Sequence, residues 1–119
     1  MIVKDIMVSP VVVTQKTKSL EHVKDLFEKK HIHAIPVLSM EGEIEGIITA
    51  SDLGKECDFT KLVATVMTTK THVVGIQSGV QDAAKMMDKH NVHHLIVMDN
   101  GQVLGIISSM DFVKIIAKG

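Results

Sequence analysis

The feature that most constrains the fold of this chain is an internal duplication. Moving the sequence by 60 places, from position 6 to position 66, aligns Ile6-Met7 with Val66-Met67, and the alignment continues through the next apolar stripe. After a one-residue difference in a turn, Gly46 to Asp52 aligns with Gly105 to Asp111. Two copies of one pattern within 119 residues predict two similar structural units that pack against each other.

Each copy has the pattern of a strand, a helix, two strands and a second helix. Val11–Thr14 is a short β-branched run, and Ser19 is a suitable N-cap for a helix that continues to Lys30. Extended runs follow over 34–38 and 43–49, and the second copy has Asn100-Gly101 between its corresponding runs, which is typical of a tight hairpin. The predicted fold class is α/β (α+β), with two pseudo-symmetric β-α-β-β-α repeats packed sheet against sheet.

The predicted domain boundaries follow the duplication. The first repeat is placed at 1–57, a linker at 58–66 and the second repeat at 67–119. Within the linker, Thr60 is a candidate cap for a short helix. One copy is too small to close a core well by itself, so the two repeats are expected to form one compact pair.

Composition and charge argue against several classes of partner. The formal net charge is -1 and the chain has no Trp or Tyr, so we expect no nucleic-acid partner. No run of about 18 consecutive apolar residues is present, so we expect no membrane partner. The start at Met1–Asp5 has no secretory pattern, and Cys57 is the single cysteine. Both features favour a cytoplasmic location and a reduced thiol.

A hydroxyl residue followed three positions later by an acid closes the strand pair of each copy. The pairs are Thr49 with Asp52 and Ser108 with Asp111, each at a predicted junction of strand and helix. One interpretation is a capping box, in which both side chains bond the first turn of the helix. The other is a ligand site, because a carboxylate beside a strand end can accept hydrogen bonds from ribose hydroxyls. The residue pattern alone leaves both interpretations open.

A histidine precedes the first strand of each predicted hairpin. His33 stands before Ala34, and His93 stands before His94. A protonated histidine donates hydrogen bonds from both ring nitrogens, so these residues are candidates for binding a phosphate. A polar edge residue between a helix and a strand, with no ligand, is the alternative interpretation.

Metal binding and catalysis find little support in the same residues. His90, His93 and His94 are closely spaced, as are His31 and His33, but no Cys joins them and no His-Glu-x-x-His motif is present. No nucleophile has a recognisable base, and no phosphate loop of the Walker type is present. We therefore predict no metal ligand, no catalytic residue and no enzymatic activity.

Taken in order, the motifs resemble those of a tandem pair of cystathionine-β-synthase (CBS) domains, often called a Bateman module. The resemblance covers Val3 to Ala117. It rests on Met7 and Met67, on the His33–Val37 and His93–Val97 segments, and on the two Gly-Ile-Ile-Thr/Ser-x-x-Asp endings. It implies that the repeats pack around a pseudo-twofold axis and leave two clefts for AMP, ADP, ATP or S-adenosylmethionine.

The resemblance also implies which residues form these clefts, each of which mixes both copies. One cleft would use Thr49 and Asp52 for the ribose, Val92, His93 and His94 near the phosphate, and His72 near the base. The other would use Ser108 and Asp111 together with Val12, Ile32 and His33. A basic residue often follows the histidine in this family, and only the second copy has one, His94. We therefore expect the Asp52 cleft to hold a phosphate better.

The function that this resemblance implies is a regulatory, ligand-sensing module with no obligatory cofactor. An adenosine-type ligand would shift a conformational or assembly equilibrium, and an effector protein or the oligomeric state, a homodimer by resemblance, would carry the output. A protein-interaction or dimerisation module without nucleotide is the main alternative, and a His-based metal-binding protein is another. The apolar segment from Phe112 to Ile116 suits either pairing of two chains or a contact within its own copy.

Overall fold

The computed structural model describes residues 1–119, which form two compact units. The central unit is Val12–Thr71, and the terminal unit combines Met1–Val11 with His72–Gly119. The regular elements in chain order are α1 (Val3–Ile6), α2 (Leu20–Lys30), β1 (Ala34–Leu38), β2 (Ile44–Thr49), α3 (Ala50–Gly54), a 3-10 helix (Val63–Thr65), β3 (Val73–Gly75), α4 (Val80–His90), β4 (His94–Asp99), β5 (Gln102–Ser108) and α5 (Ser109–Lys118). The repeat boundaries stay a prediction about the duplication, whereas the two units are a property of the fold.

The central unit is built from α2 packed on the hairpin of β1 and β2. The predicted cap is confirmed, because the Ser19 hydroxyl accepts a hydrogen bond from the His22 N–H at 3.2 Å, and the helix ends at Lys30 as expected. Strands β1 and β2 pair antiparallel, with Ala34 opposite Thr49. The core of this unit consists of Leu20, Val23, Phe27, Ile35, Val37, Ile48, Leu53 and Val63.

The first predicted strand of the central unit is reduced to one bridge, so this part of the expectation was wrong. Thr14 alone pairs with Val37, in the parallel direction. In the terminal unit the matching position to Pro36 is Ile96, whose N–H donates to the His72 carbonyl at 2.9 Å. Proline has no N–H, so the corresponding hydrogen bond is unavailable beside Pro36 and the ladder stops early.

The terminal unit has a three-stranded sheet in the order β3-β4-β5. Strand β3 runs parallel to β4, and α4 makes the crossover between them, as the pattern predicted. Strands β4 and β5 form the predicted tight hairpin, in which Asn100 and Gly101 have φ values of 50° and 75°. Positive φ at both residues matches a type I′ turn. The core of this unit consists of Val3, Val74, Ile76, Ala83, Met87, Leu95, Val97 and Ile107.

The segments that precede each first strand do more than connect the repeats. In the terminal unit Val3 is completely buried, and its N–H donates to the Ser78 carbonyl at 2.8 Å. Val63 has the same role in the central unit, where its N–H donates to the Lys18 carbonyl at 2.8 Å. Residues 58–66, which we expected to be a linker, therefore contribute a core residue to the central unit.

The prediction that Thr60 caps a short helix was wrong. The 3-10 helix begins after Leu62, which makes no side-chain capping hydrogen bond. The Thr60 hydroxyl instead donates to the Asp58 carboxylate at 2.6 Å. Thr60 therefore stabilises a turn of the connection and does not start a helix.

In each unit, a methionine packs on a glycine and connects the hairpin to a chain segment outside it. A Cβ added at Gly46 would lie 2.8 Å from the Thr68 carbonyl oxygen and 2.9 Å from the Met67 sulfur. A Cβ added at Gly105 would lie 2.8 Å from the Val8 carbonyl oxygen and 2.9 Å from the Met7 sulfur. These glycines are required because the neighbouring backbone approaches too closely for any side chain.

The architecture as a whole is mixed α/β, with two small sheets and helices, as the sequence predicted. The longest helices, α2 and α4, contain 11 residues each. None of the helices has both the length and the apolar character needed to cross a membrane.

Candidate functional site

The hydroxyl–acid pair of the central unit lies where β2 ends and α3 begins. The Thr49 N–H donates to Asp52 Oδ2 at 2.8 Å, and the Asp52 N–H donates to Thr49 Oγ1 at 3.3 Å. The capping-box interpretation is therefore confirmed here. Asp52 Oδ1 accepts no hydrogen bond from the protein, and the residue is only half-buried. One carboxylate oxygen makes the cap, and the other remains available to an external donor.

The terminal unit repeats this arrangement where β5 ends and α5 begins. The Ser108 N–H donates to Asp111 Oδ2 at 2.8 Å, and the Ser108 hydroxyl donates to the same oxygen at 3.2 Å. Asp111 Oδ1 has no donor within the protein, like its counterpart in the central unit. Each unit thus presents one carboxylate oxygen beside a strand end.

Backbone pairing brings the predicted histidines to the same ends of the sheets. The His33 carbonyl accepts a hydrogen bond from the Ala50 N–H at 2.9 Å, and the His93 carbonyl accepts one from the Ser109 N–H at 3.0 Å. Both histidines are exposed, and His94 lies opposite Ser108 in the ladder. We call His33, Thr49 and Asp52 the central sheet-end motif, and His93, Ser108 and Asp111 the terminal sheet-end motif.

The other predicted site residues fall into the two units as follows. Val12 and Ile32 pack on the core of the central unit, and Val92 packs on the core of the terminal unit. The His72 ring stacks on the His90 ring in the terminal unit, with the centroids 4.2 Å apart and the planes 25° apart. The combination of central and terminal residues in one cleft stays a prediction.

The side chains do not assemble a metal centre within either unit. No three of the His, Cys, Asp and Glu side chains lie together in positions that could hold a metal ion. Cys57 is exposed and forms no disulfide.

A groove of about 370 Å³ lies in the central unit at the hairpin end of the sheet, and it was not predicted from the sequence. Its polar lining includes Gln15, Lys18 and His22. The duplication contains a signal for these residues, because the positions matching Lys18 and His22 are Ser78 and Asp82. The first copy thus has two basic residues where the second copy has none. The shared fold does not require this difference.

Comparison with known proteins identifies the repeated unit. The profile of the CBS domain family matches residues 3–57 and again residues 63–118. The CBS domain pair of protein MJ0100, solved in complex with 5′-methylthioadenosine and S-adenosyl-L-methionine, is similar to this chain with a TM-score of 0.91 and 26% identity. The similarity covers 99% of this chain and 97% of that one.

Relatives of known sequence include proteins of very different length. An uncharacterized protein of Methanocaldococcus jannaschii is 29% identical, over 96% of this chain and 90% of its own length. The inosine-5′-monophosphate dehydrogenase of Escherichia coli is 34% identical over 82% of this chain, which spans only 21% of that enzyme. The chain therefore belongs to the CBS domain family, and it consists of a tandem pair of CBS domains.

Proposed function

We propose that this chain is a non-catalytic sensing module that binds adenosine-containing ligands at its sheet-end motifs. The observation that supports the proposal best is the pair of carboxylate oxygens, Asp52 Oδ1 and Asp111 Oδ1, which have no donor in the protein. A carboxylate oxygen beside a hydroxyl and a strand end suits the two adjacent hydroxyls of a ribose. Asp52 and Asp111 would therefore be the ribose acceptors of two sites.

A structurally similar CBS domain pair supports adenosine compounds as the class of ligand. The CBS domain pair of MJ0100 binds 5′-methylthioadenosine and S-adenosyl-L-methionine, at 26% identity to this chain. Both ligands share an adenosine group with AMP, ADP and ATP, so the proposal extends to these nucleotides. None of them is proposed as an obligatory cofactor.

Each site would combine residues of both sheet-end motifs. In one, Thr49 and Asp52 would hold the ribose, with Val92, His93 and His94 near a phosphate and His72 near the base. In the other, Ser108 and Asp111 would act with Val12, Ile32 and His33. The first would favour phosphorylated ligands, because His94 stands where the second has Ala34 and a protonated imidazole donates to phosphate oxygens.

The mechanism of such a module is thermodynamic linkage. A ligand that touches both units favours whichever arrangement of them completes its site, and so it shifts a conformational or assembly equilibrium. An effector protein would read the shifted equilibrium. The inosine-5′-monophosphate dehydrogenase relative is far longer than this chain, so its activity is not part of the proposal.

A second function, pairing of two copies of this chain, is favoured by the exposed face of α5. Met110, Val113 and Ile116 are 56%, 53% and 79% exposed, and they follow one another at a spacing of three residues. Residues three apart share one helix face, so α5 presents an apolar stripe. We propose that two copies of the chain form a homodimer through this stripe. The Ile116→Glu variant should therefore sediment as a monomer in sedimentation velocity experiments.

Calorimetric titration of adenosine and AMP tests the sensing proposal. We expect Asp52→Asn to weaken adenosine binding roughly ten- to a hundredfold, because a charged acceptor contributes about 1.5 to 3 kcal/mol. Asparagine keeps a carbonyl oxygen for the cap, so the melting temperature should change little. Unchanged affinity in both Asp52→Asn and Asp111→Asn would contradict the assignment of the ribose acceptors.

The phosphate role of His94 has its own control in the same titrations. His94→Ala should weaken AMP binding more than adenosine binding, because adenosine carries no phosphate. Equal losses for the two ligands would contradict the assignment. His33→Ala is the matched variant of the other sheet-end motif, and it should leave the preference for AMP over adenosine in the Asp52 site unchanged.

A further inference from the structure

The groove of the central unit lies away from the sheet-end motif. Its lining includes Leu38 to Met40 and Gly42, at the turn that joins β1 to β2. Thr49 pairs with Ala34, at the opposite end of the same hairpin. The volume of about 370 Å³ falls in the range of pockets that hold small molecules. The groove is thus separate from the residues proposed to hold the ribose.

Thr14 is one of the residues that line this groove, and its hydroxyl is buried without a hydrogen-bond partner. Thr14 is 5% exposed, and its Oγ1 makes no hydrogen bond within the protein. The backbone of Thr14 is satisfied, since its N–H donates to the Pro36 carbonyl and its carbonyl accepts from the Leu38 N–H. A buried polar atom without a partner costs free energy, which a hydrogen-bonding ligand would recover.

The terminal unit shows that the fold does not need this hydroxyl. The position matching Thr14 is Val74, which is also 5% exposed and packs in the apolar core. Val and Thr have nearly the same shape, so the burial is explained by packing in both units. The hydroxyl of Thr14 therefore needs an explanation other than packing.

Lys18, His22 and Ser39 supply hydrogen-bond donors to the groove, while the Gln15 side-chain amide donates to the Met40 sulfur at 3.4 Å. Lys18 and His22 line it, and neither forms an ion pair with an acidic side chain. Ser39 Oγ accepts hydrogen bonds from the Glu41 and Glu43 N–H groups at 3.2 Å and 3.1 Å, which leaves its own proton to donate. Donors with no acidic side chain in the lining favour an anionic group.

The matching positions of the terminal unit have the opposite character. Ser78, Asp82 and Asp99 stand where the central unit has Lys18, His22 and Ser39. Two of these three residues are acidic, so the corresponding surface would repel an anion. The basic character belongs to the central unit alone and is not a consequence of the shared fold.

We propose that this groove binds a small organic anion whose charged group meets Lys18 and His22, with the Thr14 hydroxyl, buried in the ligand-free protein, as a further donor. Val13, Leu38 and Met40 also line the groove and would contact a short apolar chain. A carboxylate and a phosphate ester both supply the required acceptor oxygens. The site acts independently of the sheet-end motifs, so it stands whether or not the chain binds nucleotides.

The test follows backbone amide resonances of the ¹⁵N-labelled protein during titration with hexanoate and, separately, with butyl phosphate. We expect saturable shifts at Thr14, His22 and the 38–42 turn, and none at the matching 98–101 turn. Tighter binding of one probe identifies the natural headgroup as a carboxylate or a phosphate. Hexylamine is the control of opposite charge, and shifts of equal size with it would overturn the proposal.

Variants that copy the terminal unit separate binding from folding. The double variant Lys18→Ser with His22→Asp should weaken the better probe at least tenfold. Thr14→Val should weaken it about threefold to tenfold and raise the melting temperature of the ligand-free protein, since valine removes the unpaired hydroxyl. Lys16→Ser is the matched control, because Lys16 pairs with Glu45 and does not line the groove.

The proposal is overturned if neither probe gives saturable shifts at the groove, or if the double variant binds as tightly as the wild type. Because the titrations contain no nucleotide, their result does not depend on the sheet-end motifs. Failure of the adenosine titrations with success here would reject the sensing proposal and leave the anion site in place.

Discussion

The central and terminal units share one plan and differ most at the hairpin end of the sheet. At the other end, both have a histidine, a hydroxyl residue and an acid with one carboxylate oxygen unpaired. At the hairpin end, the central unit has Thr14 and a basic pair, whereas the terminal unit has a buried Val74 and Asp82. The shared fold accounts for the core and the caps of both units, whereas the groove residues need a separate explanation.

The largest predicted effect is a difference in stability between matching core substitutions at the start of α2 and of α4. Leu20 is completely buried, but its counterpart Val80 is only half-buried. Leu20→Ala should lower the free energy of unfolding by about 2 to 5 kcal/mol, and Val80→Ala by about 1 kcal/mol. Urea denaturation of both variants measures the difference, and equal losses would show that the two helices contribute equally.

The next largest effect is the loss of stability when a side chain is added at the close-packed glycine of each hairpin, and it should be equal in the two units. Gly46→Ala and Gly105→Ala each bring a Cβ within 2.8 Å of a backbone oxygen, so each should cost about 1 to 3 kcal/mol. Gly54→Ala is the control, because a Cβ there meets no atom within 4 Å. Thermal unfolding compares the three variants. A loss in only one of Gly46→Ala and Gly105→Ala would mean that the methionine-on-glycine contact is needed in one unit alone.

A smaller effect concerns the start of the long helix in each unit. Ser19 caps α2 with its hydroxyl, whereas Gly79 at the start of α4 has no side chain to do so. Ser19→Ala should lower the free energy of unfolding by about 1 kcal/mol, and Gly79→Ser should raise it by roughly a few tenths of a kcal/mol. A Cβ at Gly79 lies 3.5 Å from Asp82, an ordinary contact. A destabilised Gly79→Ser in urea denaturation would contradict this explanation.

The smallest effect lies in the connection between α3 and the 3-10 helix, and it depends on pH. The Lys61 ammonium, 3.1 Å from the Glu56 carboxylate, lowers the pKa of Glu56 below its ordinary value through a hydrogen bond. The resulting stabilisation of the fold is fully present above the pKa that Glu56 has in the unfolded chain. It is lost as the pH falls through the lower pKa that Glu56 has in the folded protein.

Glu56→Gln should therefore lower the melting temperature slightly at pH 7 and not at pH 3. Glu28→Gln, at an exposed residue outside the ion pairs, is the matched control and should have no effect at either pH. A Glu56→Gln effect that persists at pH 3 would show that its cause is not the charge of the carboxylate.

Much of the fold could be predicted from short sequence patterns, because caps and tight turns are determined by the residues that form them. The cap at Ser19 and the turn at Asn100-Gly101 depend on the residues themselves, and both were confirmed. The location of Val3 in the terminal unit was not predictable, because Val3 and Val63 make equivalent hydrogen bonds in the two units. The duplication shows that the segments correspond, but not on which sheet each one packs.

The candidate site could also be predicted only in part from the sequence. The repeated hydroxyl–acid pairs singled out Thr49, Asp52, Ser108 and Asp111, and the structure adds that each acid keeps one oxygen unpaired. The groove was missed because its residues come from a bridge, a helix start and a turn that no local pattern connects. The early end of the first strand also needed the structure, since the missing N–H of Pro36 acts on a segment distant in sequence.

The most direct test of the central claim is a two-dimensional ¹H–¹⁵N spectrum of the labelled protein titrated with S-adenosyl-L-methionine. The proposal predicts saturable shifts at amides of both sheet-end motifs, with Thr49 and His93 among them, while Gly101 in the terminal hairpin turn stays unchanged. A spectrum without saturable shifts, or with shifts only at the hairpin turns, would contradict the claim that the sheet-end motifs bind an adenosine-containing ligand.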